Sequence, residues 1–68
     1  MKLKNCVVGQ RVQVKLEQHI GAGVFYGDLQ GECGTIVDVR DKPYNIKVKF
    51  DNGHEDVGNH TNLRKIKE

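Results

Sequence analysis

Strict alternation of apolar and polar residues constrains this chain more than any other feature. In Gln10-Arg11-Val12-Gln13-Val14-Lys15-Leu16, the residues Val12, Val14 and Leu16 fall on one side and the polar residues on the other. That period of two marks a strand with one buried face, because successive side chains of an extended chain point to opposite sides. The pattern recurs in Asn45-Ile46-Lys47-Val48-Lys49-Phe50, which places Ile46, Val48 and Phe50 inward and Lys47 and Lys49 outward. Gly34-Thr35-Ile36-Val37-Asp38-Val39-Arg40 is a third β-rich run. No stretch carries the 3.6-residue period of a long helix. Composition agrees: valine and isoleucine number thirteen against six leucine, alanine and methionine. Branching at Cβ suits a pleated surface and disfavours a helix.

The breaks between strands are equally legible. Asp41-Lys42-Pro43-Tyr44 reads as a turn, since proline fixes φ and removes a donor. Asp51-Asn52-Gly53 is a hairpin turn in which Asn-Gly accepts positive φ. His54-Glu55-Asp56-Val57 returns as a short strand, whose edge, if left open, could pair with a second copy. Gly58-Asn59-His60-Thr61-Asn62 forms a turn or one helical twist, and Leu63-Arg64-Lys65-Ile66 closes the set. Residues 1–8 are a lead-in segment. Residues 17–33 form a long loop, with Gly21, Gly23, Gly27 and Gly31 too dense for a regular element. One all-β domain over residues 1–68, a small five-stranded antiparallel barrel, is the predicted architecture.

Size limits function. Sixty-eight residues support one core worth roughly 3–5 kcal/mol. A deep substrate cleft needs more protein around it, so a binding module is expected rather than an enzyme. Serine is absent. His54-Glu55-Asp56 cannot form a nucleophile–base–orienter set, because neighbouring strand residues face opposite ways. His19, His54 and His60 lack the local spacing of a ligand pair, so neither a metal nor a cofactor is expected. Cys6 and Cys33 form no C-x-x-C; they are expected to be reduced and packed, with a disulfide between them as the alternative. Residues 1–8 lack the apolar core of a secretion signal, and a cytoplasmic setting is expected.

At this level of detail the chain resembles SH3-like barrels of the KOW type, as carried by small stand-alone bacterial and phage proteins. The resemblance rests on Gly9-x-x-Val12-x-Val14, Gly31-x-x-Gly34-Thr35-Ile36-Val37-x-Val39, Val48-x-Phe50-Asp51-Asn52-Gly53 and Asn62-Leu63-Arg64-x-Ile66. The fourteen residues between Leu16 and Gly31 are longer than a KOW motif has, and resemble the first loop of signalling SH3 domains. Those domains bind polyproline helices through a groove that includes a tryptophan. This chain has no tryptophan, so polyproline recognition is not implied.

Two binding surfaces compete. A protein partner would be met by the long loop and neighbouring turns through His19, Phe25, Tyr26, Tyr44 and His60. Within the loop, Leu29 is expected to fold back on the barrel, while Phe25 stands between that role and partner contact. The alternative is RNA or DNA, met by Arg11, Lys15, Lys47, Lys49, Arg64, Lys65 and Lys67. The overall charge of +2 conceals net +3 over residues 1–27, −3 over 28–56 and +2 over 57–68. The resemblance implies that the first and last strands pair, which would bring both basic ends to one face. A merely solubilising face explains the same charges. Protein is favoured, because the net charge is low and seven acids share the central segment. A small regulator of a host machine, monomeric or weakly dimeric, would suit this size.

Overall fold

The computed structural model describes residues 1–41 and 43–67; Lys42, within the predicted 41–44 turn, and Glu68 lie outside the described residues. Five strands run antiparallel: β1 (Arg11–Val14), β2 (Cys33–Val39), β3 (Ile46–Phe50), β4 (Glu55–Gly58) and β5 (Leu63–Lys65). Their order in the sheet is β4-β3-β2-β1-β5, so first and last strands are neighbours and β4 and β5 are its two edges. Three 3-10 turns, Leu3–Asn5, Gly27–Leu29 and His60–Asn62, complete the elements. The fold is all-β and barrel-like, as the alternation predicts. Among the described residues no helix is long and apolar enough to cross a membrane.

Inward residues of the strands build the core: Val12, Val14, Ile36, Ile46, Val48, Phe50 and Leu63 are buried. Cys6 from the lead-in segment and Phe25 and Leu29 from the long loop join them, and Met1 packs against the cluster. Cys6 and Cys33 are free thiols. Burial pushes the Cys6 thiol pKa up, because a thiolate would lose hydration there.

Alternation overshoots at the end of β1. Leu16, expected to point inward, is 76% exposed. The Val14 carbonyl accepts the Gly31 N–H at 2.9 Å, and the Val14 N–H donates to the Glu32 carbonyl at 3.0 Å. These bonds close the base of the loop, and the chain leaves the sheet beyond Lys15. The loop returns Phe25 and Leu29 to the core instead.

A bulge corrects β2. Ile36 pairs with Val48 but Asp38 pairs with Lys47, so Val37 is an extra residue. Without it Asp38 would share the inward face with Ile36; with it the parity flips and Asp38 lies beside Lys47. At Gly34 the strands approach so closely that a Cβ would stand 2.6 Å from the Lys49 carbonyl oxygen and 2.7 Å from Val48 Cγ1. In the β3–β4 hairpin only Gly53 takes positive φ, +94°, while the Asn52 side chain accepts the His54 N–H at 3.0 Å.

Candidate functional site

The long loop is stitched down by amides. The Gln18 side chain behaves like a strand backbone: Nε2 donates to the Phe25 carbonyl at 2.9 Å, and Oε1 accepts the Phe25 N–H at 2.7 Å. Asn62, fully buried, accepts the His19 N–H on Oδ1 at 2.6 Å and donates from Nδ2 to the Gly23 carbonyl at 2.8 Å. Asn59 donates its backbone N–H to that same carbonyl at 2.7 Å. Its side-chain Nδ2 reaches the Pro43 carbonyl at 2.8 Å, and its Oδ1 accepts the Thr61 N–H at 3.0 Å. Asn45 joins the third segment: Oδ1 accepts the His60 N–H at 3.1 Å, and Nδ2 lies 3.0 Å from His60 Nδ1. Because Oδ1 is engaged by an N–H, the amine end must face the ring. Nδ1 is then the acceptor and the neutral imidazole carries its proton on Nε2.

Asn45, Asn59 and Asn62 are all buried, and among the described residues every buried side-chain polar atom has a partner. An amide offers a donor and an acceptor at once, so each can bridge two unpaired backbone groups that would otherwise be costly to bury. The result is a rigid polar plug beneath three side chains from three segments. Tyr44, 49% exposed, lies over Gly23, where a Cβ would stand 2.8 Å from its ring. His19 folds over Gly21, with Nε2 about 3.0 Å from where a Cβ would be. His60 flanks Asn45.

Of the five residues expected to meet a protein, His19, Tyr44 and His60 lie on segments that the asparagines tie together. Phe25 is not available: it is 1% exposed and packs edge-on against Phe50, with ring centroids 6.0 Å apart. A partner cannot touch it, because the ring is enclosed in the core. Tyr26 is 67% exposed but turns to a different flank, a shallow groove shared with Asp28, Leu29, His54 and Glu55. Its N–H donates to Asp56 Oδ2 at 2.8 Å.

The seven basic residues divide into two groups. Arg11 makes a two-pronged bond to Asp51 at 2.7 and 2.6 Å and also donates to Thr35 Oγ1 at 3.1 Å. The guanidinium beside Asp51 holds that carboxyl below its usual range. Lys49 is paired in register with Glu55 and Lys47 with Asp38. The Asp38 carboxyl is likewise held down, first by the Arg40 hydrogen bond and also by the nearby Lys47 charge. Lys15, Arg64, Lys65 and Lys67 form the other group. β1–β5 pairing sets Arg64 opposite Gln13 and Lys65 opposite Val12, and the Lys15 N–H donates to the Asn62 carbonyl at 2.9 Å. Arg64, Lys65 and Lys67 border a further groove with Gln13, Cys33 and Ile66. β1 and β5 are paired neighbours, while Arg11, Lys47 and Lys49 lie beside acids.

No group of three or more metal-binding side chains occurs among the described residues. Gln18, Asn45, Asn59 and Asn62 escaped the sequence reading, because an asparagine in a turn has the same local signature whether its amide faces solvent or the interior. The weak signal was three asparagines at 45, 59 and 62, all flanking predicted turns around a glycine-rich loop. Comparison with protein-family models, curated proteins and solved structures finds no match to this chain.

Proposed function

We propose that this chain is a non-enzymatic binding module that recognises a protein partner through the surface formed by His19, Tyr44 and His60. One observation carries the reading: buried asparagines tie the three segments bearing these side chains to one another. A loop already ordered loses little entropy on binding, which raises the affinity a small contact can reach. Tyrosine and histidine present an apolar body with a polar tip, a combination that suits recognition at a partly wet interface. The SH3-like resemblance supports a role of this kind. A small cytoplasmic regulator of bacterial or phage origin, acting on a larger host assembly, is the biological setting it suggests.

Nucleic acid is the second reading, favoured by the gathering of Lys15, Arg64, Lys65 and Lys67 beside β1 and β5. It is weakened by the acids facing Arg11, Lys47 and Lys49. A displayed peptide library selected against the immobilised protein separates the two. Selected peptides are expected to lose at least tenfold in affinity with Tyr44→Ala and to keep it with Glu17→Gln. Peptides that bind Tyr44→Ala as well as wild type would remove the surface from consideration. A short mixed-sequence RNA whose amide shifts at Lys15 and Arg64 vanish with added salt would transfer the assignment to nucleic acid.

A further inference from the structure

The two edges of the sheet are finished differently. On β4 the residues whose backbone points away from β3 are 55, 57 and 59, since the Phe50 N–H donates to the His54 carbonyl. Two of those outward donors are occupied: the Val57 N–H by Asp56 Oδ1 at 2.8 Å, and the Asn59 N–H by the Gly23 carbonyl at 2.7 Å. The loop meets this edge at Asn59, one residue beyond β4. On β5 the Asn62 carbonyl accepts from Lys15, and the Ile66 N–H donates to the Arg11 carbonyl. The even-numbered residues therefore face β1, and Leu63, Lys65 and Lys67 direct their backbone outward. The Leu63 N–H is taken by the His60 carbonyl. Left over are the Leu63 carbonyl, both backbone groups of Lys65 and the Lys67 N–H, with no partner among the described residues.

We infer that the β5 edge takes up an extended, acidic segment of a partner protein as a sixth strand. The leftover groups alternate acceptor and donor along the strand, which another extended backbone complements. Arg64, Lys65 and Lys67 are exposed, and no ion pair among the described residues engages them. Carboxylates on the incoming strand would supply those charges. Ile66 is half-buried and borders two grooves beside the strand, offering an apolar anchor for the added chain.

Other occupants fit less well. A second copy pairing β5 with β5 would set Arg64, Lys65 and Lys67 against the same cations, and like charges across a pair are destabilising. On its β4 edge the Val57 and Asn59 N–H donors are already taken. A phosphate backbone could meet the lysines and the outward N–H groups, but the outward carbonyls of Leu63 and Lys65 need donors that phosphates lack. The edge cations thus reject self-pairing while selecting an acidic strand. This edge does not include Tyr44, so a Tyr44 variant tests one surface without altering the other.

The probe is a seven-residue peptide of alternating Glu and Val, acetylated and amidated, added to isotope-labelled protein at low salt. Hydrogen exchange of the Lys65 and Lys67 amides is expected to slow at least tenfold at saturation, in wild type and in Tyr44→Ala alike. The same peptide N-methylated at alternate residues, which keeps the charge but blocks the ladder, is expected to give no protection. Lys65→Glu/Lys67→Glu, both exposed and checked for folding by near-ultraviolet circular dichroism, is expected to bind the probe at least tenfold more weakly. Equal binding of the methylated peptide, protection located elsewhere, or unchanged binding by the double variant overturns the inference. So does a mixed-sequence RNA of equal charge that displaces the peptide from these residues.

Discussion

Gly58 and Phe25 offer the sharpest test of how the loop is held. Gly58 ends β4, paired with Ile46, and its φ is not positive, so space and not backbone conformation demands glycine. A Cβ there would stand 2.5 Å from Phe25 Cδ2 and 2.8 Å from Cγ. Carbon atoms in contact prefer about 3.5–4.0 Å, so the ring would have to retreat by about 1 Å. It has nowhere to go, being 1% exposed with Phe50 edge-on against it. Overpacking of this kind costs about 1–3 kcal/mol, a large share of the roughly 3–5 kcal/mol one such core supplies. For a domain of this size each kcal/mol lowers Tm by about 4–8 °C, so Gly58→Ala is expected to melt roughly 4–24 °C below wild type. Urea unfolding at constant m would give the free energy directly. Phe25→Leu, also destabilising alone, should partly relieve the clash, so the double variant should cost about 0.5–3 kcal/mol less than the sum. Gly27→Ala is the control: nothing lies within 4 Å of its Cβ position, and it should be neutral or stabilising by about 0.4–1 kcal/mol. Gly58→Ala within about 0.5 kcal/mol of wild type, or singles that add strictly, would refute the reasoning.

Two further outcomes follow from the polar contacts. Asn62→Ala leaves the His19 N–H without its acceptor and takes one of two donors from the Gly23 carbonyl, which keeps the Asn59 N–H, and is expected to cost about 1–3 kcal/mol for the one group left unpaired; Asn62→Asp, which restores the acceptor for His19, should recover most of that loss, and unfolding midpoints equal to wild type would show the plug to be dispensable. The depressed Asp51 carboxyl gives stability that is present above the unfolded value of about 3.9 and lost as pH falls through the lower folded value; the gap between wild type and Arg11→Met in urea midpoint should therefore close in acid, and a gap constant from pH 7 to pH 2 would contradict it.

Strands were legible because burial on one face writes itself into residue order. Val12, Val14, Ile46, Val48 and Phe50 all lie where alternation puts them. Leu16 misled because periodicity reports which face a residue would occupy, not whether the strand still has a neighbour to pair with. There the Gly31–Val14 bond ends the pairing. The Val37 bulge was invisible for a related reason: it is defined by the partner strand, not by its own segment. Surface charge was half legible. Which cations share a side follows from strand order, but the Arg11–Asp51 pair joins residues forty apart, and nothing local announces it. The buried asparagines were least legible, since an amide that completes a backbone network and one that faces water occupy identical turns.

The Asn62 bonds also fix a sequence of events. The amide that orders His19 is 43 residues away along the chain, and its bond to Gly23 spans 39. Closing so large a span is entropically expensive and slow relative to local pairing. The β2–β3 and β3–β4 hairpins close over shorter spans, whereas the His19 N–H has no acceptor until Asn62 arrives. By this logic the His19 end of the loop is among the last parts of the molecule to be held in place.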